Sequence, residues 1–170
     1  MLHRIDTIIF TFQNKFMPNT YTQIHIQLVF AVKYRSALIE DTWKDRLCQY
    51  TTGIIQNKSH KMLHINTMPD HLHMLIGLRP DESLSQLVQV VKTESTNFIN
   101  ENYFTHQKFA WQEGFGAFSY SRSSLPDVIR YIQNQEEHHR KRTFREEYLG
   151  FLKAFDVEFD ERYIFRELVE

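Results

Sequence analysis

Residues 61–78, which read KMLHINTMPDHLHMLIGL, decide how the chain folds. We predict two strands in this stretch, joined tightly at Met68-Pro69-Asp70. Successive side chains of a strand point to opposite faces, so His71 and His73 project together while Leu72 enters the core. Two neighbouring imidazoles on a sheet supply half of a metal site. The His-x-His motif is weak by itself, because a structural or surface pair of histidines has the same spacing.

The rest of the chain supplies further strand and helix patterns. Apolar residues at every second position from Ile24 to Val32 predict a first strand, and Ser83 with Gln86 predicts a capping box that opens a helix. The order of predicted elements indicates an α+β fold, a ferredoxin-like antiparallel sheet with helices packed on one face. The elements are a strand at 24–32, a helix at 39–57, strands at 61–68 and 71–78, a helix from Ser83, a strand at 109–121, a helix from Ser124 and a helix at 143–154.

The composition is that of an ordinary folded protein. The chain has 170 residues, 42% of them hydrophobic, and no run of about 18 apolar residues that could span a membrane. Cys48 is the only cysteine, which excludes a disulfide framework or thiolate zinc cluster and suits a reducing cytoplasm. We assign 20–154 to a single domain, 1–19 to an N-terminal extension and 155–170 to an acidic C-terminal tail. Met17 is a candidate start codon, a hypothesis that a mass measurement on natively expressed protein tests.

The predicted helix from Ser124 carries a second candidate group. At about 100° per residue, Tyr131, Gln135 and His138 share one shoulder of this helix, beside its apolar stripe. Tyr131 and Gln135 are one turn apart and can face a common point. The ordinary alternative is a half-buried tyrosine whose hydroxyl is hydrogen-bonded within the protein.

Together, the histidine pair and the tyrosine point to one chemistry. A phenol, with a pKa of about 10, is a poor nucleophile until its proton is removed or its charge is stabilised. A metal ion near a scissile phosphate can polarise it and orient the attack. The product would be a covalent phosphotyrosine and a free sugar hydroxyl, which keeps the bond energy for rejoining without ATP. Such chemistry suits cutting and rejoining rather than degradation.

Four segments, in order, resemble the single-tyrosine HUH transposases of small bacterial insertion sequences, including relatives associated with repetitive extragenic palindromes. The resemblance covers about residues 20–150. The segments are LVFAVKYR at 28–35, similar to the first strand and its basic exit; MPDHLHML at 68–75, similar to the HUH strand; WQEGFGAFS at 111–119, similar to the segment before the catalytic helix; and YIQNQ at 131–135, similar to the catalytic helix itself.

This resemblance implies the HUH endonuclease fold and a set of roles. His71 and His73 would be metal ligands, Gln135 a third protein ligand and Tyr131 the nucleophile that forms a 5′-phosphotyrosine. The implied cofactor is Mg²⁺ or Mn²⁺, and the implied substrate is hairpin-forming single-stranded DNA at element ends. In many such enzymes a homodimer presents the tyrosine to the metal site of the other subunit, whereas some palindrome-associated relatives act as monomers.

Contacts to DNA are harder to assign from the sequence. The net charge of -1 argues against a protein that coats DNA, but local basic patches can follow a phosphate backbone. Each candidate also has an ordinary explanation, a solvated helix face for a basic side chain or core packing for an aromatic one. The candidates are Lys33, Tyr34, Arg35, Arg122, Arg130, His138 and Arg140, with Phe115 as a further stacking residue.

Three other functions compete with a transposase. One is a non-catalytic hairpin DNA- or RNA-binding protein, such as a decayed transposase or a repressor. Residues 114–120 faintly resemble the aromatic motif of RNA-recognition domains, but Glu113 stands where that motif has a basic residue. Another is a replication-initiating or relaxase-type HUH nuclease, although those chains are usually longer. A zinc hydrolase or deaminase lacks its ligands here, since there is no His-Glu-x-x-His motif and no cysteine pair.

Overall fold

The computed structural model describes residues 20–164, which form a four-stranded antiparallel sheet and helices. The strand order is β2-β3-β1-β4, and with a helix after the first and third strands this is the ferredoxin-like arrangement. The predicted α+β class is confirmed. The elements are β1 (Ile24–Ala31), α1 (Lys44–Asn57), β2 (Lys61–Met68), β3 (His71–Leu78), α2 (Leu84–Glu101), β4 (Gly116–Tyr120), α3 (Leu125–Gln133), α4 (Gln135–His139), α5 (Phe144–Ala154) and α6 (Glu161–Ile164).

One face of the sheet packs against α1 and α2. Leu28 and Phe30 of β1 and Met74 of β3 belong to this core, together with Leu47 of α1 and Leu87 of α2. Side chains at alternate positions of both central strands therefore point to the same layer, as the sequence pattern predicts.

Helices also cover the other face of the sheet, in addition to the helical layer on one face that the sequence predicts. Val29 and Ala31 cluster with Phe144 of α5, and Leu75 clusters with Ile132 of α3. The reason is in the strands themselves: several side chains that alternate with the first core, Val29, Ala31 and Leu75, are apolar as well, so both faces must be covered. The ferredoxin-like core accounts for one helical layer, and α3, α4 and α5 add a second.

Some predicted elements differ from the structure at their ends. The first helix begins at Lys44 rather than near 39, because Ile39 bonds through its backbone N–H to the carbonyl of Pro69 in the hairpin turn, 2.9 Å away. The predicted strand at 109–121 shortens to β4, and Trp111 makes only an isolated bridge to Val32.

The cap of α2 and the helix that carries Tyr131 differ as well. Ser83 accepts the backbone N–H of Gln86, but the Gln86 side chain bonds to the Ser83 hydroxyl, so only half of the predicted capping box forms. The helix through Tyr131 breaks at Asn134, which has φ −95° and ψ 24° and separates α3 from α4.

Residues 155–164 pack against the domain. Phe155, Phe159 and Ile164 lie against the cluster around Val29, although the sequence assigns this stretch to an acidic tail. The predicted N-terminal extension at 1–19 lies outside the described residues. Within 20–164, no helix is both long and apolar enough to cross a membrane.

Candidate active site

His71 and His73 lie side by side on β3, on the sheet face that α5 covers. Their ring centroids are 5.1 Å apart, and both side chains are buried. The alternation of β3 sends both imidazoles to this face, while Leu72 joins the core on the other face. Phe144 of α5 stacks on His71, with ring centroids 4.0 Å apart and planes 12° apart.

His71 is held by a carboxylate on one side of its ring. Nδ1 of His71 lies 2.7 Å from Oδ1 of Asp70, and Asp70 also pairs with Arg35 at 3.4 Å. Burial lowers the pKa of His71 to about 4 despite the opposing effect of Asp70, so the ring is neutral near pH 7. Nε2 has no hydrogen-bond partner among residues 20–164. A neutral imidazole with one nitrogen fixed by a carboxylate and the other unpaired is the usual state of a metal-binding histidine.

His73 has a polar partner on each ring nitrogen. Nδ1 lies 3.1 Å from the side-chain nitrogen of Gln27 on β1, and Nε2 lies 3.3 Å from Oε2 of Glu147 on α5. Oε1 of Gln27 is buried without a partner in the described part of the chain. With the Gln27 amide turned over, that oxygen would accept from Nδ1–H and leave Nε2 of His73 available as a ligand.

Tyr131 and Gln135 reach the same point from the helices above the sheet. The Tyr131 hydroxyl donates a hydrogen bond to Oε1 of Glu147, and Nε2 of Gln135 donates to the same oxygen at 3.0 Å. Burial and the neighbouring Glu147 charge raise the pKa of Tyr131 well above its usual range. The structure therefore brings all four predicted residues, His71, His73, Tyr131 and Gln135, around one carboxylate.

Sequence reasoning missed two members of this cluster, Glu147 and His139. His139 lies one turn after Gln135 and contacts its Oε1 at 2.9 Å and Oε2 of Glu147 at 3.3 Å. Burial alone would raise the pKa of Glu147, but hydrogen bonds from His139 and His73 hold it well below its usual range. A signal was present in the sequence: Glu147 stands in the apolar stripe of α5 with Phe144 and Phe151, where a charged residue needs a partner.

His138 borders a cavity beside the tyrosine rather than joining the cluster. Its ring centroid is 4.7 Å from that of Tyr131. The cavity has a volume of about 590 Å³ and is lined by Tyr131 and Glu147, by apolar parts of α5 and by basic side chains that include Lys141 and Arg142. Tyr131 therefore forms part of the wall of this cavity.

The other DNA-contact candidates are scattered. Lys33, Tyr34 and Arg35 follow β1 at the end of the sheet that holds His71, since Ala31 pairs with His71. Arg122 lies at the opposite end of the sheet, beside a cavity lined by the start of β1 and the end of β3. The remaining basic candidates are exposed and form local ion pairs, Arg130 with Asp127 and Arg140 with Glu137. Phe115 packs against the core formed with α1 and α2.

The donors present fit a hard divalent ion. The unpaired Nε2 of buried His71 is the observation that favours a ligand there. Ligand atoms of His71, His73 and Glu147 all lie within 4.8 Å of one another, and the amide of Gln135 adjoins them. A mixture of imidazole nitrogen with carboxylate and amide oxygen suits Mn²⁺ or Mg²⁺ rather than a thiophilic ion.

Comparison with known proteins identifies the same family as the four sequence segments, over the region that contains them. A family model for IS200-like transposases matches residues 20–135. The ISDra2 transposase TnpA of Deinococcus radiodurans is 21% identical over 120 residues, which cover 68% of this chain and 86% of that protein.

Two solved structures share the fold. One is the crystal structure of a Deinococcus radiodurans R1 protein described as a transposase, with a TM-score of 0.58 and 21% identity, covering 69% of this chain and 94% of that one. The other is a REP-associated tyrosine transposase bound to a REP hairpin, with a TM-score of 0.55 and 15% identity, covering 89% of this chain and 96% of that one. At such identities the structures establish the fold alone, whereas the family model spans more than half of the chain. This chain belongs to the family of IS200-like transposases.

Proposed function

We propose that this transposase cleaves and rejoins single-stranded DNA at hairpin-bearing element ends, through a 5′-phosphotyrosine at Tyr131 and with a divalent metal ion. One observation carries the proposal: the hydroxyl of Tyr131, two imidazoles and a buried amide converge on a single carboxylate within one chain. A tyrosine with only a packing role has no need of such neighbours.

The metal site of this proposal consists of His71, His73 and Gln135, with Mg²⁺ or Mn²⁺ as the expected ion. Such an ion, when bound, polarises the scissile phosphodiester and orients it for attack. Asp70 fixes the orientation of His71 through Nδ1, and Gln27 does the same for His73. Phe144, stacked on His71, excludes water from that side of the pair.

The step at Tyr131 exchanges one phosphodiester bond for another. The phenolic oxygen bonds to phosphorus as the bond between phosphorus and the 3′ oxygen breaks. The phenol gives up its proton and the departing 3′ oxygen takes one up, so the step has no net change in protons. The 5′ end of the DNA stays attached to Tyr131 until a 3′ hydroxyl reverses the reaction and rejoins the strand.

Hairpin-forming single-stranded DNA is the proposed partner. One relative with this fold was solved bound to a REP hairpin, and basic side chains line the cavity beside Tyr131. Lys33, Tyr34 and Arg35 lie at the same end of the sheet as His71 and would contact DNA held there, whereas Arg122, Arg130 and Arg140 would contact more distant parts of it. With such a substrate, the proposed location is the cytoplasm, where the chromosome lies. The protein would act there as a homodimer or as a monomer.

The test uses oligonucleotides that carry the DNA flanking the gene. With Mn²⁺ or Mg²⁺ the wild-type protein should form a covalent adduct with a single-stranded, hairpin-bearing oligonucleotide, seen as a band that survives denaturing electrophoresis. Tyr131→Phe should bind the same DNA and form no adduct. An undiminished adduct in that variant would place the nucleophile elsewhere. Binding without any adduct in the wild type would favour a non-catalytic hairpin-binding protein.

A further inference from the structure

The carboxylate of Glu147 uses its two oxygens for different partners. Oε1 accepts the hydroxyl of Tyr131 and Nε2 of Gln135. Oε2 faces the histidines, 3.3 Å from Nε2 of both His73 and His139 and 3.9 Å from Nε2 of His71. One oxygen therefore holds the proposed nucleophile, while the other lies among the proposed metal ligands.

The distances from Oε2 to the imidazoles are those expected between ligands of one ion. A divalent ion with bonds of about 2.1 Å keeps neighbouring ligand atoms about 3.0 Å apart and opposite ligand atoms about 4.2 Å apart. The contacts of Oε2 with the Nε2 atoms of His73 and His71 fall between these limits. A carboxylate oxygen is also the ligand that hard divalent ions prefer.

The surroundings of Glu147 favour a cation beside it. Its side chain is only 7% exposed, and burial of a carboxylate is costly unless its charge is compensated. The side chains that bond to it are a phenol and an amide, which are neutral, and the imidazoles of His73 and His139, which compensate its charge only when they are protonated. A divalent ion at Oε2 would compensate the charge of Glu147 also when these imidazoles are neutral.

We propose that Glu147 is a further protein ligand of the metal, through Oε2, while Oε1 keeps Tyr131 in place beside it. This inference rests on the proposed function, because it assumes the metal site of His71 and His73. Glu147 lies on α5, outside residues 20–135 that the family model matches. The carboxylate is therefore a ligand added from the C-terminal part of the chain, and it links the metal site to the nucleophile.

The test measures Mn²⁺ binding by the full-length protein without DNA, from the electron paramagnetic resonance signal of the free ion. Glu147→Gln keeps the size of the side chain and removes its charge, and it should weaken Mn²⁺ binding by about 10- to 100-fold. Glu94→Gln is the matched control, because Glu94 is exposed on α2 and should bind Mn²⁺ as the wild type does. His71→Ala, measured in parallel, reports on the metal site itself.

The outcomes separate the two proposals. If His71→Ala weakens Mn²⁺ binding and Glu147→Gln does not, the ligand role of Glu147 is wrong and the metal site stands. Tighter Mn²⁺ binding by Glu147→Gln would also overturn the ligand role, since the carboxylate would then occupy the metal site and compete with the ion. If neither variant weakens binding, the proposed metal site itself fails. Should Glu147→Gln not fold, Glu147→Asp keeps the charge and withdraws the oxygens by one methylene; wild-type affinity in that folded variant would equally overturn the proposal.

Discussion

The ring of Tyr131 lies 6.3 Å from the ring of His73, between centroids, and both belong to one chain. Each of them also contacts Glu147. In many transposases that this chain resembles, the tyrosine is presented to the metal site of another subunit. Here one subunit contains the whole cluster, so we predict that Tyr131 acts on DNA held at its own metal site.

Mixing two inactive variants tests this prediction. Tyr131→Phe lacks the proposed nucleophile and His71→Ala lacks a proposed ligand, so neither should form an adduct alone. If Tyr131 acts within its own chain, an equimolar mixture should stay inactive, because no molecule has both groups. If the tyrosine acts across a dimer, exchange of subunits should restore about a quarter of the wild-type activity. Adduct formation after co-expression or co-refolding of the variants is the measurement.

Restored activity in the mixture would contradict the arrangement within one chain. The control is a mixture of wild type with Tyr131→Phe, which shows that the variant does not poison the assay. Size-exclusion chromatography with light scattering, on the same samples, establishes whether dimers are present to exchange.

Much of the fold was predictable because its signals are local. The strands on either side of Met68-Pro69-Asp70 have the predicted bounds, since a short turn and strand patterning are encoded by neighbouring residues. The second helical layer was not predicted. Its cause is the apolar character of Val29, Ala31 and Leu75, and which helices cover them depends on contacts between residues distant in sequence.

The candidate site was likewise predictable only in part, where its residues are close together in the sequence. His71 and His73 are two positions apart on a strand, and Tyr131 and Gln135 are one turn apart in the predicted helix, so spacing predicts that each pair lies together. The second pair does so although the helix breaks at Asn134. Glu147 joins them only because the turn after α4 folds α5 back over the sheet. No local rule predicts that turn, and the charged residue in the apolar stripe of α5 was the only sign of it in the sequence.

Replacing Gly116 of β4 or Gly53 of α1 by alanine should change the stability of the protein in opposite directions. A Cβ at Gly116 would lie 2.9 Å from Cε2 of Tyr148 and 3.0 Å from Cε2 of Phe118. Gly116→Ala should therefore reduce the free energy of unfolding by about 1–3 kcal/mol, because the aromatic rings must shift. A Cβ at Gly53, inside α1, meets nothing within 4 Å, and Gly53→Ala should raise the free energy of unfolding by about 0.5–1 kcal/mol.

Chemical denaturation of the two variants and the wild type provides the measurement. A stable Gly116→Ala protein would mean that Tyr148 moves aside at no cost. A destabilised Gly53→Ala protein would mean that α1 needs the glycine for a reason other than space.

Cys48 should react slowly with thiol reagents over a wide pH range. Burial raises the pKa of this thiol to about 11, and only the thiolate reacts. Alkylation by iodoacetamide at pH 8 should be on the order of a hundredfold slower than for an unperturbed thiol, and the rate should keep rising with pH to about 11. The protein unfolded in denaturant is the control and should react at the ordinary rate. A folded-state rate that levels off near pH 8.5 would contradict the raised pKa.

Asp70 gives a prediction about the metal site that does not involve Glu147. Its carboxylate lies 2.7 Å from Nδ1 of His71, which keeps the proton on that nitrogen and leaves Nε2 as the proposed ligand atom. Asp70→Asn replaces the charged acceptor by an amide, so it should weaken Mn²⁺ binding by about 10- to 100-fold while the chain stays folded. Asp45→Asn, exposed on α1, is the matched control. Unchanged Mn²⁺ affinity in folded Asp70→Asn would mean that His71 is held in place by its stacking on Phe144 alone.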